Sequence, residues 1–594
     1  QCIIFSMCGI IAYIGKRVDA SDIILTGLKR LEYRGYDSWG VAVVRDEKIF
    51  VKKRAGKIGQ ATVSELPASS FGLGHTRWAT HGGVSDINSH PHLDCTAQVA
   101  VIHNGIIENY QEIKKGLLAK GHRFISETDS EVFAHLVEKN LPRHDFISAV
   151  RKSFQSVSGL NAFIVIHAAT NQLLAVRNGS PLVVGFGQGE NFLASDPSAL
   201  IPYTKRFYYL EDNEMAIVSP SRVTILNTQN GKSVSPQVIT LNWPAQEIEK
   251  GKFPHFMLKE IYEQPQVIRN ISTGSLAKVN QISSEIKKSF GTYFIGCGTA
   301  FYACLAGSYI FSKIAKRHVN SCVGSEFGYQ LAFLTPKSLV IALSQSGETM
   351  DILEAVKKAK EKGAKVVALV NVLGSALYRQ ADQKILINAG VEKAVASTKT
   401  FTAKIAHLIL LAYCLQGQPE KGQAVLRLAV RSAKQVLAPE SVQKIRLLAK
   451  RISNTRHVYV VGRGLSYPTA LETALKIKEI SYIHAEGLAA GELKHGVLAL
   501  IKKGSYCLVF LPNDETYGAN LAGAMEMKAR GGLIIGVSFV PHEIFDYFIR
   551  VPDTKEASII PNVIVGQLLA YYLSVERGLN PDMPRNLAKS VTVK

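Results

Sequence analysis

The sequence predicts a layered α+β domain over residues 8–226, followed by two α/β domains over 253–430 and 431–580, each around a parallel sheet. Three observations carry that reading. Up to about residue 226, short apolar segments recur with helical segments among them but without strict strand–helix alternation. From 227 to 252 the text turns polar and turn-rich, through Asn230-Gly231-Lys232 and Asn242-Trp243-Pro244, as a linker does. Beyond it the chain repeats itself. A strand at 293–295 runs into Gly296-Cys297-Gly298, and a strand at 458–461 runs into Gly462-Arg463-Gly464, an offset of about 166 residues.

In the first domain the spacing predicts strands at 9–14, 40–44, 98–102, 162–167 and 181–186, with helices at 22–31, 109–119 and 129–138. In the repeated half, strands at 339–343 and 506–511 follow at a similar offset, and Lys362-Gly363-Ala364-Lys365 corresponds to Arg530-Gly531-Gly532-Leu533. Each unit thus reads strand, Gly-x-Gly, helix, strand, loop, helix, strand. Residues 581–594 are left as a C-terminal tail.

A chain of 594 residues is too long for one core. Its 47% hydrophobic and 20% charged residues are ordinary globular composition. The richest apolar run, 407–415, falls short of the ~18 residues of a membrane span, so no membrane partner is expected. The net charge of +21 raises nucleic acid as a partner. The cations, however, come as singles and pairs such as Lys52-Lys53, Lys114-Lys115 and Lys502-Lys503, with no stacking aromatics, so a basic surface for anionic substrates is preferred. The eight cysteines are scattered without a C-x-x-C pair, which fits a reducing cytoplasm.

Met7-Cys8-Gly9-Ile10 is the most informative stretch. If translation starts at Met7 and that methionine is removed, Cys8 carries a free α-amine beside its own thiol. An α-amine with a pKa of about 7.7–8.0 is partly neutral near pH 7 and serves as a base. With residues 1–7 attached, that nitrogen is an amide. The expectation is that 1–7 is a leader absent from the working protein.

Other segments hold a chemical and a plain reading side by side. Ser344-Gln345-Ser346-Gly347-Glu348-Thr349 lies between a buried strand and a helix at 350–360. Its hydroxyls and amides suit a phosphate at a helix N-terminus better than a bare cap. Ser397-Thr398-Lys399-Thr400, ahead of a helix at 401–415, adds donors or is simply an N-cap. Arg77, in Arg77-Trp78-Ala79-Thr80-His81-Gly82, suits a ligand carboxylate or a surface ion pair. Asn104-Gly105 is an oxyanion hole or an Asn-Gly turn. Thr128-x-x-Glu131 reads as a capping box, which makes Asp129 structural. Gly296-Cys297-Gly298 lacks the third glycine of a dinucleotide site. His75, His81, His90, His92 and His103 raise zinc, but His90-Pro91-His92 is poorly spaced and no cysteine pair accompanies it, so no metal is expected.

Taken together, the chain from Met7 to Lys594 resembles the glutamine–fructose-6-phosphate aminotransferase (isomerising) family, the glucosamine-6-phosphate synthases. The motifs are Cys8-Gly9-Ile10, Leu31-Glu32-Tyr33-Arg34-Gly35-Tyr36-Asp37-Ser38, His75-Thr76-Arg77-Trp78-Ala79-Thr80-His81-Gly82 and His103-Asn104-Gly105-Ile106-Ile107-Glu108-Asn109. With them come Ser344–Thr349, Ala396–Lys399, the run from Lys478 to Glu486, Gly491-Glu492-Leu493-Lys494-His495-Gly496 and the tail from Pro584 to Val593.

The resemblance implies an N-terminal-nucleophile glutaminase of αββα layers joined to two sugar-isomerase (SIS) domains. Cys8 would attack the glutamine amide, with Asn104 and Gly105 holding the oxyanion. Arg77, Thr80, His81, Gly105 and Asp129 would frame the glutamine, and Trp78 would gate the path of ammonia. Thr299, Ser344, Gln345, Ser346, Thr349 and Ser397 would hold the sugar phosphate. Lys589 would form an imine with the opened ketose, Glu479 would move the C1–C2 proton, and Lys476 shares its helical face with Glu472 and Glu479. His495 would come from a neighbouring subunit, so a homodimer with a shared sugar site is implied, with no metal or organic cofactor. Two positions depart from the pattern: Ala300 stands where a serine is usual, and Trp39 where a small residue is usual. The glutaminase half lacks the long insertion of animal and fungal enzymes and looks bacterial in type. Amidophosphoribosyltransferases and asparagine synthetases share the glutaminase half, but neither's second-domain loop occurs after residue 252. An isomerase with an inactive glutaminase half and a non-catalytic sugar-phosphate sensor are the remaining alternatives. Glu479, His495 and Lys589 argue against the sensor.

Overall fold

The computed structural model describes residues 8–241 and 249–590. The expected leader at 1–7, part of the expected linker at 242–248 and residues 591–594 of the tail lie outside the described residues. The described residues form two compact units, 8–241 with 588–590, and 249–587.

The first unit holds two antiparallel sheets. One has eight strands in the order Ile239–Thr240, Arg206–Tyr209, Val183–Phe186, Asn191–Ala194, Gly9–Ile14, Phe71–Arg77, Ser38–Arg45, Lys48–Ala55. The other has seven, in the order Ser233–Val234, Val223–Asn227, Glu214–Val218, Leu173–Asn178, Asn161–His167, Val99–Gly105, His92–Leu93. Strand periodicity decides what faces what. Ile10, Ala12 and Ile14 of one sheet share a buried cluster with Ala100, Ile102, Ala162 and Ile164 of the other. The alternate residues Val99, Val101, Phe163 and Val165 instead meet Phe133, Ala134, Val137, Ala149 and Val150 of the helices Glu131–Asn140 and Phe146–Gln155. Helix Ala20–Leu31 packs on the outer face of the first sheet, against Gly9–Ile14 and Phe71–Arg77. The layers therefore run helix, sheet, sheet, helix. The stretch 227–252, expected as a linker, contributes edge strands to both sheets before residue 242.

The second unit holds two five-stranded sheets, parallel throughout. The first runs Asn320–Val323, Thr292–Gly296, Leu339–Ser344, Lys365–Val370, Gln383–Leu386, and the second His484–Ala489, His457–Gly462, Tyr506–Leu511, Leu533–Ser538, Tyr547–Arg550. In each, the chain's second strand lies outside its first, so direction reverses between first and third. The carboxyl ends at that reversal are where open parallel sheets bind ligands. They carry Gly296 and Ser344 in the first sheet. One apolar cluster runs through both sheets and their helices, from Met257 to Leu573. The expected boundary at 430/431 falls inside the continuous helix Pro419–Val436, which packs on Phe256–Thr273 and on Ile559–Glu576. That last helix, rather than 407–415, is the most apolar long element. Lys555–Glu576 contains an 18-residue window of mean hydropathy 1.5, and 89% of that window is buried inside the protein.

Candidate active sites

Cys8 is half-buried at the mouth of strand Gly9–Ile14. The backbone that follows it is held in place: Gly9 N–H donates to Thr76 Oγ1 at 3.0 Å and Ile10 N–H to Ser195 Oγ at 3.1 Å. Trp78 N–H donates to the Cys8 sulfur at 3.2 Å, and Asn104 Nδ2 donates to the Cys8 carbonyl at 2.9 Å. Burial pushes the thiol up to about 11, against the lowering effects of the Trp78 N–H and the Arg77 charge. The sulfur is therefore a thiol near pH 7, and attack on an amide needs a base to take its proton.

The strand Val99–Gly105 ends beside this cysteine. Gly105 has φ +129°, and a Cβ there would meet the Leu160 carbonyl oxygen at 2.0 Å, so only glycine lets the strand end this way. Asn104 uses one N–H of its amide on the Cys8 carbonyl, and an amide NH2 has a second to offer. Arg77 closes strand Phe71–Arg77 and is buried. Its guanidinium donates to the carbonyls of His81, Gly82 and Gly83, the latter two at 3.1 Å, so it shapes the 78–83 loop that carries Thr80 and His81. Asp129 accepts the Ile107 N–H at 2.8 Å, and its other oxygen lies 3.9 Å from His81 Nδ1.

The expected capping box is not formed. Helix Glu131–Asn140 begins after Ser130, and Glu131 instead accepts the N–H groups of Ile125 and Ser126. Thr128 Oγ1 is engaged with His92 Nε2 at 3.0 Å. Asp129 thus ties the end of one strand to the loop opposite, a role that local spacing did not suggest. Asp37, part of the Leu31–Ser38 motif but given no role by it, joins the site through its carboxylate, which accepts the Ala79 N–H at 2.9 Å. Trp39 is buried in strand Ser38–Arg45, with the Lys52 ammonium 6.0 Å from its ring centre.

In the second unit the 344–349 loop leaves strand Leu339–Ser344 and enters helix Met350–Glu361. Thr349 occupies the cap position without a side-chain cap bond; its hydroxyl faces Ser344 Oγ at 3.2 Å. Ser344 Oγ accepts the Gly347 N–H at 3.0 Å and Ser346 Oγ the Glu348 N–H at 3.1 Å. Gly347 has φ +68°, and a Cβ would lie 2.0 Å from Ser375 Oγ. Gln345 gives its carbonyl to Asn371 N–H, and Glu348 accepts Ala376 N–H, which fastens the loop to its neighbours. Ser397 is half-buried ahead of helix Lys399–Leu415, which starts two residues before the expected 401. Glu392 accepts the Thr398 and Thr400 N–H groups there, and Lys399 pairs with Glu263 at 2.7 Å.

Helix Ser466–Ser481 brings Glu472, Lys476 and Glu479 onto one face. Lys476 Nζ lies 2.6 Å from Glu479, 3.4 Å from Glu472 and 2.9 Å from Thr299 Oγ1, which opens helix Thr299–Ile310. Lys476 and Glu472 are wholly buried, whereas the Glu479 side chain is 21% exposed and is the member that reaches outward. Burial opposes the Lys476 charge, yet the two carboxylates outweigh it and hold the ammonium above its usual range. Burial raises Glu472 to about 7, with Lys476 opposing. Ala300 is the next residue of the same helix turn and is nearly buried. His495 is exposed at the end of the short helix Ala490–His495, and among the described residues no hydrogen bond or ion pair joins it to that trio. Lys589 is half-buried in the segment 588–590, which belongs to the first unit.

Fold and sites together define a glutamine amidotransferase joined to a pair of sugar-isomerase domains. Residues 75–202 match the glutamine amidotransferase domain family, and 285–413 and 451–575 match the SIS domain family. The chain is 45% identical over 606 residues to the glutamine–fructose-6-phosphate aminotransferase (isomerizing) of Pyrococcus horikoshii, across 99% of this chain and 100% of that one. It is 44% identical over 600 residues to the protein of the same name from Aquifex aeolicus, again across 99% and 100%. The solved C-terminal domain of glucosamine-fructose-6-phosphate aminotransferase from Francisella tularensis superposes with a TM-score of 0.53 at 32% identity, over 56% of this chain and 99% of that domain. The chain belongs to the glutamine–fructose-6-phosphate aminotransferase (isomerising) family.

Proposed function

We propose that this chain hydrolyses glutamine at Cys8 and transfers the ammonia to fructose 6-phosphate, isomerising it to glucosamine 6-phosphate. The observation that carries the first half is a neutral thiol that receives the Trp78 N–H, with the Asn104 amide on the carbonyl of the same cysteine. Cys8 adds to the glutamine Cδ carbonyl, its thiol proton passes by way of its own α-amine to the departing nitrogen, ammonia leaves, and water then hydrolyses the glutamyl thioester to glutamate and the free thiol. The second N–H of Asn104 and the Gly105 N–H take the charge that develops on the oxygen. Arg77 and the 78–83 loop take the substrate α-carboxylate, while Asp129 and His81 take the ammonium end. Trp78 is assigned to keep released ammonia from water, where it would become ammonium and lose its lone pair.

At the sugar, Ser344, Gln345, Ser346, Thr349, Ser397 and Thr299 are assigned to the phosphate and its surroundings. Lys589 condenses with C2 of the opened ketose, expelling water, and ammonia then displaces the lysine amine. Glu479, steadied by Lys476, moves the proton between C1 and C2, and His495 of a second copy assists ring opening in a homodimer. No metal or organic cofactor is assigned to either step.

The assay that tests this reading compares a chain starting at Cys8 with one carrying residues 1–7. The first should form glucosamine 6-phosphate from glutamine and fructose 6-phosphate. The second should lose roughly 10²–10⁴-fold in glutamine-dependent rate, the usual worth of a positioned base, while still interconverting hexose phosphates. Full glutamine-dependent synthesis by the longer chain would move the base elsewhere. Borohydride added with fructose 6-phosphate should attach the sugar to Lys589; label at another lysine, or none, would remove the imine role.

A further inference from the structure

Away from the glutamine pocket, four side chains from three separate segments converge on one point. Cys95 lies in the turn between strands His92–Leu93 and Val99–Gly105, His122 in the loop that follows helix Tyr110–Leu118, and His135 and Glu138 on helix Glu131–Asn140. Their donor atoms all lie within 4.8 Å of one another. Cys95 Sγ is 3.6 Å from His135 Nδ1 and 4.0 Å from His122 Nδ1, and Glu138 Oε2 is 2.8 Å from His122 Nδ1 and 3.0 Å from His135 Nδ1. A tetrahedral zinc ion with bonds of about 2.0–2.3 Å has ligand-to-ligand edges of about 3.3 Å between N and O and about 3.6 Å between S and N. These four edges each lie within about half an ångström of those lengths, and the other two are no longer than 4.8 Å.

The geometry points to a structural zinc site in the glutaminase unit, with Cys95 Sγ, His122 Nδ1, His135 Nδ1 and the Glu138 carboxylate as its four ligands. Thiolate, imidazole and carboxylate together suit a borderline-soft divalent ion, and four protein ligands close the coordination sphere, as structural rather than catalytic zinc requires. The charges balance: one thiolate and one carboxylate neutralise the dication, and both imidazoles bind neutral.

Further groups hold these ligands in place. His135 turns its other nitrogen, Nε2, to the Glu131 carboxylate at 3.5 Å, both side chains 1% exposed. That carboxylate also accepts Ile125 and Ser126 N–H, and the Arg123 N–H donates to the Cys95 sulfur at 3.3 Å. A carboxylate behind a ligating histidine fixes its tautomer and direction. The ion would clasp the 119–130 loop to the sheet and to the helix behind Asp129, so its effect on glutamine is one of positioning.

The test uses the full chain, produced with zinc and dialysed against metal-free buffer. Elemental analysis should find one zinc per chain, and the Cys95→Ala and His135→Gln chains should retain less than a tenth of it. His144→Gln, outside the cluster, should keep it. Cobalt in place of zinc should give the near-ultraviolet thiolate charge-transfer band and strong tetrahedral visible bands, lost in Cys95→Ala. Stripping the metal from the unaltered chain should lower the thermal midpoint of this unit by about 5 °C. No retained zinc and no thiolate band in the folded, unaltered chain would overturn the site, as would equal zinc in the ligand variants. The cobalt spectrum keeps the test open should a variant fail to fold.

Discussion

Cys8→Ala is expected to abolish glutamine-dependent glucosamine 6-phosphate formation, by roughly 10⁴-fold or more, because the nucleophile has no substitute within the pocket. Cys8 as a residue is half-buried and its side chain is small, so the loss of the sulfur leaves a small gap and the strand Gly9–Ile14 should keep its pairing with Phe71–Arg77 and Asn191–Ala194. Hexose phosphate isomerisation, whose C1–C2 proton transfer is assigned to Glu479 in the unit formed by residues 249–587, should be unchanged. Measuring both rates on one preparation, with circular dichroism to confirm folding, decides the matter. Loss of both activities in a folded chain would contradict separate sites, and retained glutaminase activity would assign the nucleophile elsewhere.

Lys476→Met is expected to have the largest effect on the second unit. The ammonium is wholly buried beside Glu472, also wholly buried. Removing one partner of such a pair leaves the other charge uncompensated and costs roughly 3–5 kcal/mol. Replacing both, as Lys476→Met with Glu472→Gln, should recover most of that stability. The double variant should remain without aminosugar synthesis, since Glu479 then lacks the partner 2.6 Å away. Denaturant unfolding of the three chains distinguishes a charge penalty from simple mispacking, which the second substitution would not repair.

The same group predicts a pH dependence. Glu472 rises from its ordinary 4.5 to about 7 when folded, so the native state holds more protons than the unfolded chain between those values. Its contribution is present below about pH 4.5 and is lost as pH rises through about 7. Glu472→Gln should flatten that part of the profile.

Some of this protein was legible as text. The strands at 9–14 and 506–511 and the paired Gly-x-Gly turns were readable because hydrophobic period and turn chemistry are local. The trio Glu472, Lys476 and Glu479 was readable for the same reason: spacings of four and three residues place side chains on one helical face. Composition, the repeat and the cysteine after Met7 went as far as domain classes and a nucleophile.

What the fold alone decided depends on contacts between residues distant in the chain. Thr128 and Glu131 spell a capping box, yet Glu131 binds Ile125 and Ser126 and the helix starts later, because the loop before it folds back against His92. Helix Phe256–Thr273 is capped by Asp582, which accepts the Phe256 and Met257 N–H groups at 2.8 Å from over three hundred positions away. Of Cys95, His122, His135 and Glu138 only the last two have ligand-like spacing, three apart on one helix; a turn and a loop from other parts of the chain supply the others. Sequence determines periodicity, turns and near-neighbour chemistry, because those act over a few residues. The burial that shifts Cys8 and Glu472, and the meeting of distant donors, arise only when layers pack and water is excluded.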